Sequence, residues 1–230
     1  MPAKYPASVL SVFGALVIAL AAQPQPPELQ DVLHRLDQAA QKFRGMSAKI
    51  ERKDYTAVLK DTSTQTGTVA MKKLGEHGLQ GVMDITAPDK VSYAFNGGKF
   101  EKYTPTMNTV EEYDVGAKGE ELERFLMLGF GTSGAELLNS YQVKFGGNDT
   151  VNGQNTVRLE LTPTAADAKK YMKEVDLWIP QGGNYPVQEK MIQPSGDYTL
   201  VTYSDVDLHP NLTDKNLRLN PPKGVKRIKP

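Results

Sequence analysis

The chain has 230 residues, in which 27 lysine and arginine residues balance 27 aspartate and glutamate residues, and it contains no cysteine. Zero net charge gives no overall attraction to nucleic acid or anionic lipid, so a nucleic-acid partner is not expected. The lack of cysteine excludes a disulfide framework, a thiolate metal site, a cysteine nucleophile and a lipid-modified N-terminal cysteine.

Residues 1–22 have the pattern of a cleavable export signal. Lys4 is the only charged residue there, the run from Val9 to Ala22 is apolar, and small residues favour cleavage near Ala21 or Ala22. The apolar run, about 14 residues, is shorter than the roughly 20 that span a bilayer. We therefore predict an exported protein without stable membrane insertion; a retained membrane anchor is the alternative.

The first element after the signal is a predicted amphipathic helix. Residues 23–27 form a linker rich in proline and glutamine, and residues 28–230 are expected to form a single domain. From Glu28 to Phe43, apolar residues recur three and four positions apart, which is the spacing of one helix face. Gly45 is expected to end this helix.

A long series of strands follows. Between Met46 and Asp114 the apolar period changes to two, which predicts strands at about 47–58, 66–73, 79–86, 90–96, 99–104 and 109–114. The clearest hairpin signal is Asn96-Gly-Gly, because Asn-Gly readily takes the positive φ values that tight hairpins need. Consecutive strands of this kind should be neighbours in one sheet.

The strands are interrupted by a short helical region. Glu120–Leu128 has a helical pattern, the glycines from Gly129 to Gly134 end it, and Ser133 is expected to cap a second helical turn from Ala135 to Leu138. The apolar segment from Phe125 to Phe130 is a natural cover for an apolar sheet face. This region therefore predicts a short helical cover over the sheet.

The second half returns to strands, beginning at Tyr141, Val143 and Phe145. Between Val157 and Leu208 the period-two pattern recurs with Gly, Pro, Asn and Asp at the turns, which predicts an antiparallel meander with one buried and one solvated face. In the strand near residues 174–179, for example, Val175, Leu177 and Ile179 should be buried and Glu174, Asp176 and Trp178 should not.

The sequence shows little that points to catalysis. His34, His77 and His209 lie far apart without the spacing of a zinc helix, and Ser133 lacks the spacing of a nucleophile elbow. No phosphate-binding or dinucleotide motif is present, and Glu111 and Glu112 should point to opposite faces of a strand. We therefore predict no enzyme activity, metal or cofactor, and an exported hydrolase is the weaker alternative.

Two features leave alternatives open. From residue 215 to the end, six basic residues occur without an acidic one, which indicates either a solvated tail or a docking surface for an acidic partner. The apolar residues of the sheet and lid, including methionines such as Met83 that adapt to irregular ligands, could enclose a cavity or fill an ordinary core. Periodicity alone does not distinguish these two arrangements.

Several short motifs, in order and with matching spacing, resemble the outer-membrane lipoprotein carrier family (LolA-like proteins). The resemblance covers about residues 28–228 and is carried by the following segments: Asn96-Gly-Gly-Lys-Phe-Glu-Lys-Tyr103, Leu128-Gly-Phe-Gly-Thr-Ser-Gly134 with Leu137-Leu138 and Tyr141, Val175-Asp-Leu-Trp-Ile179, Pro186-Val-Gln-Glu-Lys190, Tyr203-Ser-Asp-Val-Asp-Leu208, and Leu217-Arg-Leu219 with Pro222-Lys-Gly-Val225.

This resemblance implies a fold and a function. The expected fold is mainly β with a few helices: an incomplete, strongly curved antiparallel barrel of about eleven strands, covered by an N-terminal helix and a central helical lid. The expected function is a monomeric periplasmic carrier of an acylated lipoprotein or another lipid. Its expected partners are an inner-membrane lipoprotein-releasing transporter and an outer-membrane receptor. The lack of cysteine argues against the lipid-anchored receptor of the same fold.

The same resemblance gives expectations about the lid and the site. The family carries an Arg before a Pro in its early strands that helps to hold the lid closed, and here Lys72 or Lys73 stands nearest to that position. An envelope-stress regulatory or scaffold protein of the same fold is the main alternative function. The residues expected to line the lipid cavity are Met83, Tyr93, Phe95, Phe125, Leu126, Phe130, Leu177 and Ile179.

Overall fold

A computed structural model describes residues 26–75, 78–114, 116 and 128–229. The predicted export signal, and the predicted helix at Glu120–Leu128 except for its last residue, lie outside these ranges. Within them, no helix is both long and apolar enough to cross a membrane.

The N-terminal helix, α1, spans Pro27–Lys42, as predicted, with Pro27 in the first turn and its apolar stripe buried. It ends because Phe43 is extended. The expectation that Gly45 ends the helix is wrong, since Gly45 is the first residue of the first strand. A Cβ at Gly45 would lie 2.6 Å from the carbonyl oxygen of Met71, so glycine here permits close approach of two strands.

The described strands form one sheet in the order β12-β6-β5-β4-β3-β2-β1-β11-β10-β9-β8-β7. Their bounds are β1 Gly45–Thr56, β2 Asp61–Lys73, β3 Leu79–Ala87, β4 Val91–Asn96, β5 Lys99–Thr104, β6 Thr109–Asp114, β7 Tyr141–Val151, β8 Gln154–Pro163, β9 Glu174–Pro180, β10 Gln188–Ile192, β11 Tyr198–Asp207 and β12 Lys226–Ile228.

The sheet is open, with β7 and β12 at its two edges, and this confirms the expected incomplete barrel. It has twelve strands rather than about eleven, because the end of the basic tail adds β12 in parallel to β6. The other pairings are antiparallel, as predicted. In β12, Arg227 forms ion pairs with Glu101 and Glu112, so part of the tail is built into the sheet.

The second described helix, α2, spans Gly134–Ser140 and is capped as predicted. The Ser133 hydroxyl accepts a hydrogen bond from the Glu136 backbone N–H at 3.1 Å, and the Glu136 carboxylate accepts one from the Ser133 N–H at 2.7 Å. This reciprocal cap fixes where the helix starts and therefore where the preceding glycine-rich turn, residues 128–133, ends.

Two apolar clusters cover the inner face of the sheet, which is the face that the helices contact. The helix-side cluster joins both helices to β7–β9, and the turn-side cluster joins Phe130 and Phe43 to β1–β4. The helix-side cluster contains Leu29, Val32, Leu33, Leu36, Leu128, Leu137, Val143, Val157, Leu159, Leu161, Val175, Leu177 and Ile179. The turn-side cluster contains Phe43, Met46, Ala48, Met71, Leu79, Phe95 and Phe130.

Strand β9 is buried on both faces, so the prediction of solvated Asp176 and Trp178 is wrong. Trp178 packs with Val151 and Val187 in a small outer cluster, and its Nε1–H donates to Asp149 Oδ2 at 3.0 Å. Period-two alternation marked one face of β9 correctly, but the cover on the opposite face comes from residues distant in sequence.

Candidate functional site

The inner face of β1–β5 presents rows of apolar side chains that are only partly covered. Met83 lies opposite both Val69 and Tyr93, and Phe95 lies opposite Phe100. Directly opposed residues of antiparallel strands share a face, so Met83, Tyr93 and Phe95 are brought together. Phe95 is buried, whereas Met83 and Tyr93 are half-buried.

The other expected cavity residues separate into distinct environments. Phe130 lies in the turn-side cluster with Phe95, so the structure brings together a predicted cavity residue of the early strands and one of the central apolar segment. Leu177 and Ile179 are fully buried in the helix-side cluster, where they pack as core. Phe125 and Leu126 lie outside the described residues.

Phe130 occupies the junction between the glycine-rich turn and the sheet. Its ring stacks on Tyr185 with centroids 6.0 Å apart, and it meets the ring of Tyr203 edge-on at 5.0 Å. The side chain is only 2% exposed. The turn thus inserts one large aromatic ring into the sheet's inner face, between residues of β11 and the β9–β10 connection.

The glycines beside Phe130 allow this insertion. Gly129 and Gly131 both have φ of +79°, which favours glycine. A Cβ at Gly129 would lie 2.6 Å from Pro186 Cγ, and one at Gly131 would collide with the ring of Phe43. The turn is therefore seated closely against the molecule on both sides of Phe130.

A carboxyl group is buried beneath this turn. Glu189 lies opposite Leu177 and therefore points inward, and its Oε1 has no hydrogen-bond partner among the described residues. Burial raises the pKa of Glu189 to about 8, although a hydrogen bond from the Tyr203 hydroxyl acts in the opposite direction. Near neutral pH this carboxyl is therefore mostly protonated and can donate a hydrogen bond inside an apolar site.

A cleft of about 360 Å³ opens next to Phe130, between α1, the glycine-rich turn and the segments around residues 182–185 and 208–209. Phe43, Phe130 and Leu208 supply its apolar surface, while Arg35 and Lys42 are cationic residues at its side. Arg35 is engaged, since its Nε donates to Asp31 at 3.0 Å. The cleft thus combines apolar surface with a basic rim, an arrangement suited to an amphiphile.

Sequence reasoning missed Glu189, although a usable signal was present. In β10, the residues that alternate inward are Glu189 and Met191, which lie opposite Leu177 and Val175. A carboxylate at an inward position of an apolar strand is costly to bury, which marks such a position as unusual. Lys72, one of the two lysines nearest to the position of the family's lid arginine, pairs with Asp214 at 3.0 Å, and the predicted lid helix lies outside the described residues except for Leu128.

Comparison with solved structures shows proteins of similar fold at low sequence identity. An uncharacterized conserved protein from Thermus thermophilus aligns with a TM-score of 0.53 and 10% identity, over 87% of this chain and 98% of that one. MucB aligns with a TM-score of 0.51 and 12% identity over 85% of this chain. The chain spans 64% of MucB, which is less than two thirds of its length.

A LolA superfamily protein from Nitrosomonas europaea also aligns, with a TM-score of 0.39 and 13% identity, over 84% of this chain and 99% of that one. No protein-family model and no curated protein matches the chain. The open twelve-stranded sheet with its helices agrees with the incomplete curved barrel that was predicted from the sequence. These likenesses concern the fold alone.

Proposed function

We propose that the protein is a periplasmic carrier that shelters the acyl chains of a lipoprotein, or of another lipid. The chains would lie between the inner face of the sheet and the cover formed by α1, the glycine-rich turn and α2. In this proposal the cargo travels from the inner to the outer membrane. The observation that carries the proposal is the cleft beside Phe130, which opens at the junction between the cover and the sheet.

The energetics of acyl-chain burial support this proposal. Each buried CH₂ group contributes about 0.8 kcal/mol, so one chain of about 15 carbons gains on the order of 10 kcal/mol. Met83, Tyr93 and Phe100 are half-buried on the inner face and offer apolar surface that a chain would cover. Methionine suits this role because its flexible thioether adapts to irregular shapes.

A carrier must also release its cargo, and the glycine-rich turn suits that requirement. Phe130 fills the site through ring contacts with Tyr185 and Tyr203. An acyl chain that enters from the cleft would replace these aromatic contacts with aliphatic ones, so binding and closure would compete for the same apolar surface. Because of this competition, the net free energy of binding is smaller than the free energy gained by burying the acyl chain alone.

The partners in this proposal are an inner-membrane transporter that releases lipoproteins and an outer-membrane receptor that accepts them. In this proposal the protein receives its cargo at the transporter and delivers it to the receptor. The cationic residues Arg35 and Lys42 at the side of the cleft would lie near the polar part of the cargo, outside the apolar space.

The test is native mass spectrometry of the protein isolated from the periplasm, followed by lipid extraction under denaturing conditions. We expect a stoichiometric adduct with the mass of an acylated molecule. Met83→Gln should reduce the adduct severalfold, because it places an amide on the inner face. The matched control is Val82→Gln, which changes the neighbouring residue on the outer face of the same strand.

If both variants and the unmodified protein carry the same amount of adduct, the binding surface does not include this part of β3. A protein that shows no adduct and takes up neither added lipid nor acylated peptide would contradict the carrier. The regulatory or scaffold alternative would then be the better explanation, and a search for protein partners would follow.

A further inference from the structure

The most exposed large apolar side chains lie at one end of the sheet. Among the described residues, four large hydrophobic side chains are at least 70% exposed: Val58 at 89%, Leu59 at 73%, Met107 at 71% and Tyr171 at 70%. Each lies in a connection between strands, and Val58 and Leu59 are adjacent at the tip of the β1–β2 hairpin.

The strand order places these connections together. In an antiparallel sheet, alternate connections lie at the same end, so the β1–β2, β3–β4 and β5–β6 connections share one end. The β8–β9 and β10–β11 connections lie there too, since Ala57 N–H donates to Asp197 at 2.7 Å and Lys173 N–H donates to the carbonyl of Ile192 at 2.8 Å. We call the connections that carry Val58, Leu59, Met107 and Tyr171 the apolar rim.

The hairpin tip projects beyond its neighbour on one side. The register of β2 with β3 ends at Thr66 and Ala87, whereas β1 and β2 continue pairing to Thr56 and Asp61. The hydrogen bond from Ala57 to Asp197 braces the tip on its other side. Val58 and Leu59 are therefore held outward by a paired hairpin rather than by an unstructured loop.

The residues just behind the tip have amphipathic side chains. Tyr55 stacks on Tyr198 with centroids 4.9 Å apart, and Lys190 Nζ lies 4.5 Å from the centre of the Tyr198 ring. Tyrosine and lysine both combine an apolar body with a polar end, which is the chemistry found where protein surfaces meet the headgroup region of a bilayer. The tip therefore presents aliphatic side chains first and aromatic and cationic ones behind them.

We propose that the apolar rim rests on the surface of a lipid bilayer, with Val58 and Leu59 inserted at the boundary of the hydrocarbon region. The four exposed side chains stand on three connections, β1–β2, β5–β6 and β8–β9, which the strand order sets apart along the rim, so a rigid protein surface would not bury them together. A fluid bilayer accommodates separate protrusions. The contact is reversible. The apolar rim would be the surface through which the protein touches a membrane, whatever cargo it carries.

Charge plays a secondary part in this contact. Lys60 is followed by Asp61 and Lys170 pairs with Asp167 at 2.6 Å, whereas Lys169 and Lys173, near Tyr171, form no ion pair with the described residues. The driving force is then the removal of apolar surface from water, which does not require anionic lipid. Vesicles of phosphatidylcholine should therefore be sufficient, and binding should depend little on salt.

The experiment places a fluorescent reporter in the hairpin tip itself. Its emission therefore reports on the tip and not on vesicle binding by the apolar N-terminal residues. Leu59→Trp puts an indole at the tip, while the native Trp178 is buried and should not respond. We expect the Leu59→Trp emission to shift to the blue with phosphatidylcholine vesicles and to be quenched by brominated lipid. Gln154→Trp, at the exposed start of β8 on the opposite end, should remain in water.

A second substitution tests the contribution of the tip. Adding Val58→Asp to Leu59→Trp should weaken vesicle binding about tenfold or more, because a side chain that gained burial becomes a charge. The proposal is overturned if Leu59→Trp does not respond, if Gln154→Trp responds equally, or if Val58→Asp has no effect. It is also overturned if sedimentation shows that the tip instead mediates self-association. Lipid extraction from the purified protein tests the cargo separately, so the two proposals can fail independently.

Discussion

The ring of Phe130 stands edge-on to the ring of Tyr203, with centroids 5.0 Å apart and an angle of 74° between their planes. The Tyr203 hydroxyl in turn hydrogen-bonds to the buried carboxyl of Glu189. A residue of the glycine-rich turn, one of β11 and one of β10 thus form a connected group. This group links the seating of the turn to the protonation of a carboxyl inside the sheet.

Phe130→Ala should lower the free energy of unfolding by about 3–5 kcal/mol, because it leaves a cavity where the buried Phe130 ring contacts the rings of Tyr185 and Tyr203. Urea denaturation followed by circular dichroism measures the change. The matched control is Tyr113→Ala, which truncates a more exposed ring on the inner face of β6 and should cost about 1 kcal/mol or less. Equal losses in the two variants would show that Phe130 is not part of the cooperative core.

Glu189→Gln should remove part of the pH dependence of stability. The pKa of Glu189 is about 8 in the folded protein against an ordinary 4.5, so the folded state binds the proton more tightly. Stability therefore falls as the pH rises between these two values, by at most about 1.4 kcal/mol per pH unit. The variant lacks this loss and should be more stable than the unmodified protein above about pH 8.

Urea denaturation at several pH values measures this difference. Burial raises the pKa of Asp176 to about 6. This carboxyl titrates in both proteins, so its contribution to the pH dependence of stability cancels when the two are compared. Tyr203→Phe is the companion variant: it keeps the ring but removes the hydrogen bond that lowers the Glu189 pKa, so that pKa should rise further. Parallel stability curves for Glu189→Gln and the unmodified protein would contradict the burial of this carboxyl.

Gly134→Ala should destabilise the protein by about 1–3 kcal/mol, although alanine is the better helix former. A Cβ at Gly134 would lie 2.5 Å from the carbonyl oxygen of Leu33, so α1 and α2 would have to move apart. Asn139→Ala, on the exposed side of the same helix, is the control and should be neutral or slightly stabilising. A stabilising Gly134→Ala would show that the two helices do not pack this closely.

Arg227→Ala should lower the melting temperature at neutral pH. The Arg227 guanidinium lies between Glu101, at 2.8 Å, and Glu112, which face each other across β5 and β6. Removing it leaves two like charges opposed. Because Arg227 lowers the pKa of Glu112, this stabilisation is present above the ordinary pKa and is lost as the pH falls through the lower folded value.

The difference between Arg227→Ala and the unmodified protein should therefore shrink in acid. Lys226→Ala is the neighbouring control, because Lys226 forms no ion pair with the described residues. A loss that is equally large at neutral and acidic pH would indicate that Arg227 acts through packing of β12 rather than through its charge.

Local patterns in the sequence located most of the elements of the described fold. The strand predicted at about 79–86 is observed at Leu79–Ala87, and the strand predicted at 99–104 is observed at Lys99–Thr104. The cap at Ser133 also follows from local chemistry, because its hydrogen bonds join residues only three positions apart. Period, turn residues and caps are properties of neighbouring residues, so the sequence by itself determined them.

Tertiary structure decided which faces are covered and by what. Three features depend on partners far away in the chain: the burial of Trp178 on the outer face of β9, the parallel addition of β12 and the inward position of Glu189. Gly45 illustrates the same limit, since its role comes from the backbone of Met71 on the neighbouring strand. A periodic pattern shows that a face is apolar, but only the folded arrangement determines whether core, solvent or cargo meets it, because burial depends on distant segments packing together.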